Sequence, residues 1–333
     1  MNRYFTGFLL LLALFGFSSC SNQPSEEGYK DMLAVRMAMP MQPSSALSII
    51  AAEKGYFKKR GLDVIFTEFP SGKLALRDGL LAGNSDVAFS SDVPVVAAAL
   101  GGKDIHVVAT TFLASDVNRI IARRDHGISA PADLKGKRVA TQRASAVHFF
   151  LSLFLSKNNL SLKDVELSYM NAGSLPEALA SGAIDAFSMR EPYISEAKKL
   201  LGDYAVIFTA QGLYQQFDGV VVDSNFLDRN PEVIRRLLQA LLDAEVFAFS
   251  APDQAIKLVA DRLGVSAPAV APLWSRHSLK VSLDQSYLLL LEDISRWMLN
   301  TQASNGSISP EYLKIIDTGP LERIDPNRVS LIR

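Results

Sequence analysis

The stretch Gly83-Asn84-Ser85-Asp86-Val87-Ala88-Phe89-Ser90 returns later in the chain as Gly182-Ala183-Ile184-Asp185-Ala186-Phe187-Ser188. In each copy a helix signal ends at a glycine, an aspartate follows three residues on, and a short apolar strand delivers a serine at its C-terminal end. Such an echo predicts two related lobes, each with its own sheet. The simpler alternative is that Gly-x-x-Asp is a common helix-to-strand joint.

Outward from the first copy, strand and helix signals alternate. Ala34–Ala38 reads as a strand, and Pro40–Pro43 as a loop. A helix then starts near Ser44 or Ser45, either of which can cap its free N–H groups, and runs to Gly55, which suits the left-handed stop. Leu62–Thr67 is the next strand. Repeated short β-α-β units predict parallel, doubly wound sheets with helices on both faces. Beyond Asn225 a helical C-terminal tail takes over. Asn230-Pro231 opens a long helix through Leu237, Leu241 and Phe247, and further helices start near Pro252, Ser266, Asp284 and Ser309, all packed on the first lobe. Trp274 and Trp297 fall on the apolar stripes of this tail and are assigned to its core.

At the N-terminus, Arg3, the apolar run Phe8–Phe17 and Ser18-Ser19 describe a secretory signal over residues 1–19. Cys20 follows it and is the only cysteine in the chain. Its placement resembles the lipobox of bacterial lipoproteins, which implies that Cys20 is acylated and becomes the mature N-terminus. Residues 20–32 have no apolar periodicity and read as a tether. The longest later apolar run, Tyr287–Leu291, stops at Glu292-Asp293, short of a membrane span.

With Cys20 assigned to an anchor, no thiol remains for a nucleophile, a zinc site or an iron–sulfur cluster. His106, His126, His148 and His277 are scattered, without the spacing that sets two ligands on one helix face, and there is no GxSxG elbow, P-loop or GxGxxG. The expectation is therefore a protein that is not an enzyme and has no metal or cofactor. A formal net charge of −1 gives no basic excess for nucleic acid.

Four further segments carry a family resemblance: Ala51-Ala52-Glu53-Lys54-Gly55-Tyr56-Phe57-Lys58-Lys59-Arg60-Gly61-Leu62-Asp63-Val64, Asp133-Leu134-Lys135-Gly136-Lys137-Arg138-Val139-Ala140, Glu177-Ala178-Leu179-Ala180-Ser181-Gly182-Ala183-Ile184-Asp185-Ala186, and Arg190-Glu191-Pro192-Tyr193. In this order they resemble the solute-binding proteins of ABC importers, in the branch that includes aliphatic-sulfonate, taurine, nitrate and thiamine-precursor binders. The resemblance runs from about Leu33 to Phe226. It implies a two-lobed α/β periplasmic-binding-protein fold of type II: lobe one from residues 33–115 and 217–333, lobe two from 116–216, and hinges at Asp116–Arg119 and Phe217–Gly219. It further implies a monomer, lipid-anchored outside the cytoplasm, that closes over a small polar or anionic molecule and passes it to a membrane permease. Alternatives on the same fold are an enzyme of the menaquinone-pathway or thiamine-pyrimidine type, or a solute sensor for a membrane receptor.

In open α/β sheets ligands collect beyond the carboxyl ends of the strands, where helix N-termini present free N–H groups. In lobe one this rule selects Gln42, Ser44, Ser45, Ser71, Gly72, Ser90, Ser91, Asp92, Thr110 and Thr111. In lobe two it selects Ala144, Ser145, His148, Asn171, Arg190 and Glu191, and Asp218 joins them from the return strand. Arg190 suits a carboxylate, sulfonate or phosphate through its planar guanidinium. It equally suits a salt bridge with Glu191 or Asp218. His148, beside Phe149-Phe150, reads either as a ligand contact or as a satisfied histidine near the core.

Overall fold

The computed structural model describes residues 32–301, 303 and 308–332, together with Met1. The signal segment, Cys20 and the tether up to residue 31 lie outside the described residues. Among the described residues ten strands form two five-stranded sheets. Sheet one contains β1 (Leu33–Pro40), β2 (Leu62–Phe69), β3 (Val87–Ser91), β4 (Ile105–Ala114) and β10 (Gln216–Asp223), in the order β2-β1-β3-β10-β4. Sheet two contains β5 (Arg119–Arg123), β6 (Arg138–Thr141), β7 (Glu166–Tyr169), β8 (Ala186–Met189) and β9 (Ala205–Phe208), in the order β7-β6-β8-β5-β9.

The two orders are the same pattern. In each sheet three strands run parallel, and the fourth runs antiparallel to its neighbours. Each sheet is thus mixed rather than wholly parallel, because the strand that follows a crossing enters from the opposite lobe and must run back against the parallel set. The chain crosses between Ala114 and Arg119 and returns between Phe208 and Gln216. Phe217–Gly219 lie inside β10, paired to β3 and β4, so the return precedes them.

The repeated Gly-x-x-Asp has a physical cause in both lobes. Gly83 and Gly182 adopt φ of +75° and +78°, which ends the preceding helix and which side chains with a Cβ rarely tolerate. The aspartate then accepts from an arginine on the adjacent parallel strand. Asp86 takes the backbone N (2.9 Å), Nε (3.2 Å) and Nη2 (2.6 Å) of Arg36, while Asp185 takes the same three atoms of Arg138 at 2.8, 3.1 and 2.6 Å. Each arginine also donates Nη1 to a carbonyl of the turn, Gly83 O and Ala183 O, both at 2.9 Å. The echo is therefore a repeated clasp that fixes the middle strand of each sheet to its neighbour.

β1, β3, β8 and β10 are largely buried, as expected for central strands covered on both faces, whereas the edge strand β2 alternates exposed and partly buried residues along most of its length. The helices Pro231–Ser250, Pro252–Leu263 and Gln285–Thr301 pack on lobe one. No helix among the described residues is long and apolar enough to cross a membrane. Ser278–Ser282 adds to the outer edge of β4 through bridges Leu113–Ser278 and Thr110–Ser282. Glu245 accepts from Val281 N (2.7 Å) and Arg328 donates to Val281 O (2.9 Å), holding this segment in place. Its position carries Arg276 and His277 to the space between the lobes.

Candidate functional site: the interlobe cavity

A cavity of about 400 Å³ lies where the two lobes meet. Lobe one contributes Met41, Gln42, Pro43 and Ser44 after β1, Pro70 after β2, Phe112 on β4 and Gln216 at the start of β10. Lobe two contributes Arg119 at the start of β5 and Arg190, Glu191, Pro192 and Tyr193 after β8. Asp116 and Val117 of the outward crossing, with Ala269, Pro272, Leu273, Arg276 and His277 of the tail, complete the wall.

Three arginines and two carboxylates line this space. Arg119 Nη1 lies 3.1 Å from Glu191 Oε1, and Glu191 also accepts from Ser195 N at 3.0 Å. Asp116 accepts from His277 Nε2 and lies 3.8 Å from Arg276. Arg190 makes no ion pair or hydrogen bond among the described residues, and its Nε is buried without a partner. Neither structural partner foreseen for it takes it up: Glu191 pairs with Arg119, and Asp218 accepts from Gln216 Nε2 at 2.9 Å. Ser44 Oγ, Arg119 Nε and His277 Nδ1 are likewise buried and unpartnered. An unsatisfied buried donor costs about 1–3 kcal/mol. The cavity thus gathers two unused guanidinium N–H donors, an unpartnered hydroxyl and one uncompensated positive charge, an arrangement that an oxyanion satisfies.

Of the residues selected from strand ends, the cavity brings together Gln42, Ser44, Arg190 and Glu191. Ser44 and Ser45 do not cap the helix Ala46–Glu53, since a short 3-10 turn over Pro43–Ser45 precedes it. Ser71 does cap, accepting from Leu74 N at 3.3 Å. Gly72 packs so closely on β3 that a Cβ would meet Ser90 Cα at 3.0 Å. Ser45, Ser90 and Ser91 are buried away from the cavity wall. Thr110 donates to Ser282 O at 2.7 Å and Thr111 to Asp218 O at 3.4 Å. Ala144 holds φ +49° ahead of the helix Ala146–Lys157, Ser145 donates to Gln142 O at 2.7 Å, and Asn171 is exposed.

Asp92 is wholly buried. It accepts from the Tyr214 hydroxyl, Phe217 N (2.9 Å) and Val93 N (2.7 Å), tying the return crossing to lobe one. Burial, with a smaller push from Asp218, raises its carboxyl to about 7 against those hydrogen bonds. His148 is also buried, edge-on to Tyr169 at 5.3 Å and Trp297 at 4.9 Å, while Phe149 meets Tyr214 at 5.2 Å and Trp297 at 5.1 Å. Burial first, then Arg143 and Lys73, bring His148 down to about 4. These rings join lobe two to the tail, and Lys73 Nζ donates to Arg143 O across the lobes at 2.7 Å. Trp274 donates to Ala248 O at 2.8 Å, and neither tryptophan lines the cavity.

Strand-end reasoning missed Asp116, Arg119, Phe112, Leu273 and His277. Asp116 stands on the outward crossing and Arg119 opens β5 directly after it, a segment that could have been read as cleft-facing, but nothing local in the sequence marks the tail residues.

Two sheets of one strand order, joined by two crossings with a cavity between them, define a two-lobed periplasmic-binding-protein fold. Residues 42–255 match the family described as NMT1/THI5 like, and the chain belongs to it. A protein of Escherichia coli (strain K12) named for aliphatic sulfonate binding is 27% identical over 62% of this chain and 65% of its own length. One of the same name from Bacillus subtilis (strain 168) is 28% identical over 77% of each. The solved alkanesulfonate-binding protein SsuA from Xanthomonas axonopodis pv. citri, bound to MOPS, superposes with a TM-score of 0.73 at 20% identity, covering 86% of this chain and 99% of that one.

Proposed function

We propose that this protein is the extracytoplasmic solute-binding component of an ABC importer, held at the membrane by a lipid on Cys20, and that it captures a small organic anion between its lobes for a permease. The observation that carries this reading is Arg190, a lobe-two cation left without a counter-ion in a cavity whose other wall is lobe one. An oxyanion beside Arg190 gains charge-assisted hydrogen bonds, with Ser44 and Gln42 as further polar partners. Phe112, Val117, Pro272 and Leu273 offer apolar surface to an alkyl or aryl body. Sulfonates fit both requirements, and the relatives named for sulfonate binding support that choice.

A thermal-shift screen of the purified protein tests it, using alkanesulfonates, nitrate, pyrimidines and small carboxylates at equal concentration. A ligand at a hundredfold excess over its Kd stabilises the folded state by about 2.7 kcal/mol. The expected result is a raised melting temperature with sulfonates and little change with neutral pyrimidines. A shift confined to the pyrimidines would overturn the reading.

A further inference from the structure

The cavity carries a second polar anchor that does not belong to the family-matched segment. His277 lies outside residues 42–255, is brought in by the strand-like segment paired to β4, and lines the cavity. Its side chain is only 7% exposed. Nε2 meets the Asp116 carboxylate, the ring stands edge-on to Phe112 at 5.5 Å, and Nδ1 is buried with no partner. A carboxylate accepts only, so in the neutral imidazole the proton sits on Nε2 against Asp116 and Nδ1 carries the lone pair. That lone pair lacks a donor among the described residues, and a solute entering the cavity can supply one.

We propose that His277, oriented by Asp116, is a specificity-determining residue: it accepts a hydrogen bond from the solute, so the cavity prefers a small anion bearing a hydroxyl or amino group over an alkyl anion of the same size. This rests on the reading of the cavity as an anion site. Arg190 supplies attraction for the charged head, whereas His277 discriminates by the body. A ligand with no donor leaves Nδ1 desolvated and unpaired, and sites built around such an atom reject the analogue that lacks the matching group.

Calorimetric titration with 2-hydroxyethanesulfonate and 1-propanesulfonate, which have the same number of heavy atoms, tests the assignment. The wild-type protein is expected to favour the hydroxyl compound by about tenfold or more. His277→Phe should weaken that compound by about ten- to a hundredfold and shift 1-propanesulfonate by less than about threefold. His277→Gln, which keeps an acceptor, should restore part of the preference, and melting curves of both variants report whether they fold. Equal losses for both ligands, or an absence of preference in the wild type, would overturn the role of His277 while leaving the anion site standing. If neither sulfonate binds the wild type, the choice of a sulfonate falls and this inference falls with it.

Discussion

Asp92 and His148 titrate in opposite senses, and their effects on stability overlap. Asp92 holds its proton up to about 7 in the fold, against about 3.9 in an unfolded chain, so it favours folding at low pH and loses that contribution as pH rises through 7. His148 stays neutral down to about 4 against about 6.5 unfolded, so its contribution is full above 6.5 and is lost as pH falls toward 4. Between these limits the two offset. Asp92→Asn should therefore lose stability relative to wild type as pH falls from 6.5 to 4.5, and His148→Phe as pH rises over the same range, each by up to about 1.4 kcal/mol per pH unit. Urea denaturation at several pH values measures this, and slopes unchanged from wild type in both variants would refute it. The strand-end rule found Asp92 and His148 together with Ser44 and Arg190, yet only the latter pair reaches the cavity wall. The difference is long-range: Tyr214 and Phe217 fold over Asp92, and Trp297 packs on His148, from positions that no local pattern connects to them.

At the scale of elements, the Gly-x-x-Asp echo was legible because both the glycine stop and the aspartate are local. Its partners were not, since Arg36 and Arg138 lie far away along the chain and meet the aspartates only through parallel pairing. Asp86→Ala and Asp185→Ala should each destabilise their lobe by about 1–3 kcal/mol, because a guanidinium and a strand N–H lose their acceptor. Asp185 should cost more, for it also accepts from His126 Nδ1 at 2.7 Å. Burial opposes its ionisation, but Arg138 and His126 outweigh burial and hold the carboxyl well below its usual range. Thermal melts of the two variants check the ranking; an Asp185→Ala protein as stable as wild type would contradict the clasp. The direction of β5 and β10 was likewise hidden, because alternation of strand and helix signals says which elements neighbour one another but not that a crossing strand enters its sheet reversed.

At the scale of the molecule, the cavity draws its walls from both lobes, the outward crossing and the tail. The lobes and their order could be read from repeated β-α units, whereas the tail's part in the cavity depends on Ser278–Ser282 pairing with β4. The central claim is that one small anion bridges the lobes, touching Ser44 on one side and Arg190 on the other. Calorimetric titration of a binding sulfonate against Ser44→Ala and Arg190→Ala tests it most directly. The account expects both variants to melt near the wild-type temperature without ligand, Ser44→Ala to bind several-fold more weakly, and Arg190→Ala about ten- to a hundredfold more weakly. Wild-type affinity in either variant, or an Arg190→Ala protein that is destabilised without ligand yet binds normally, would contradict it.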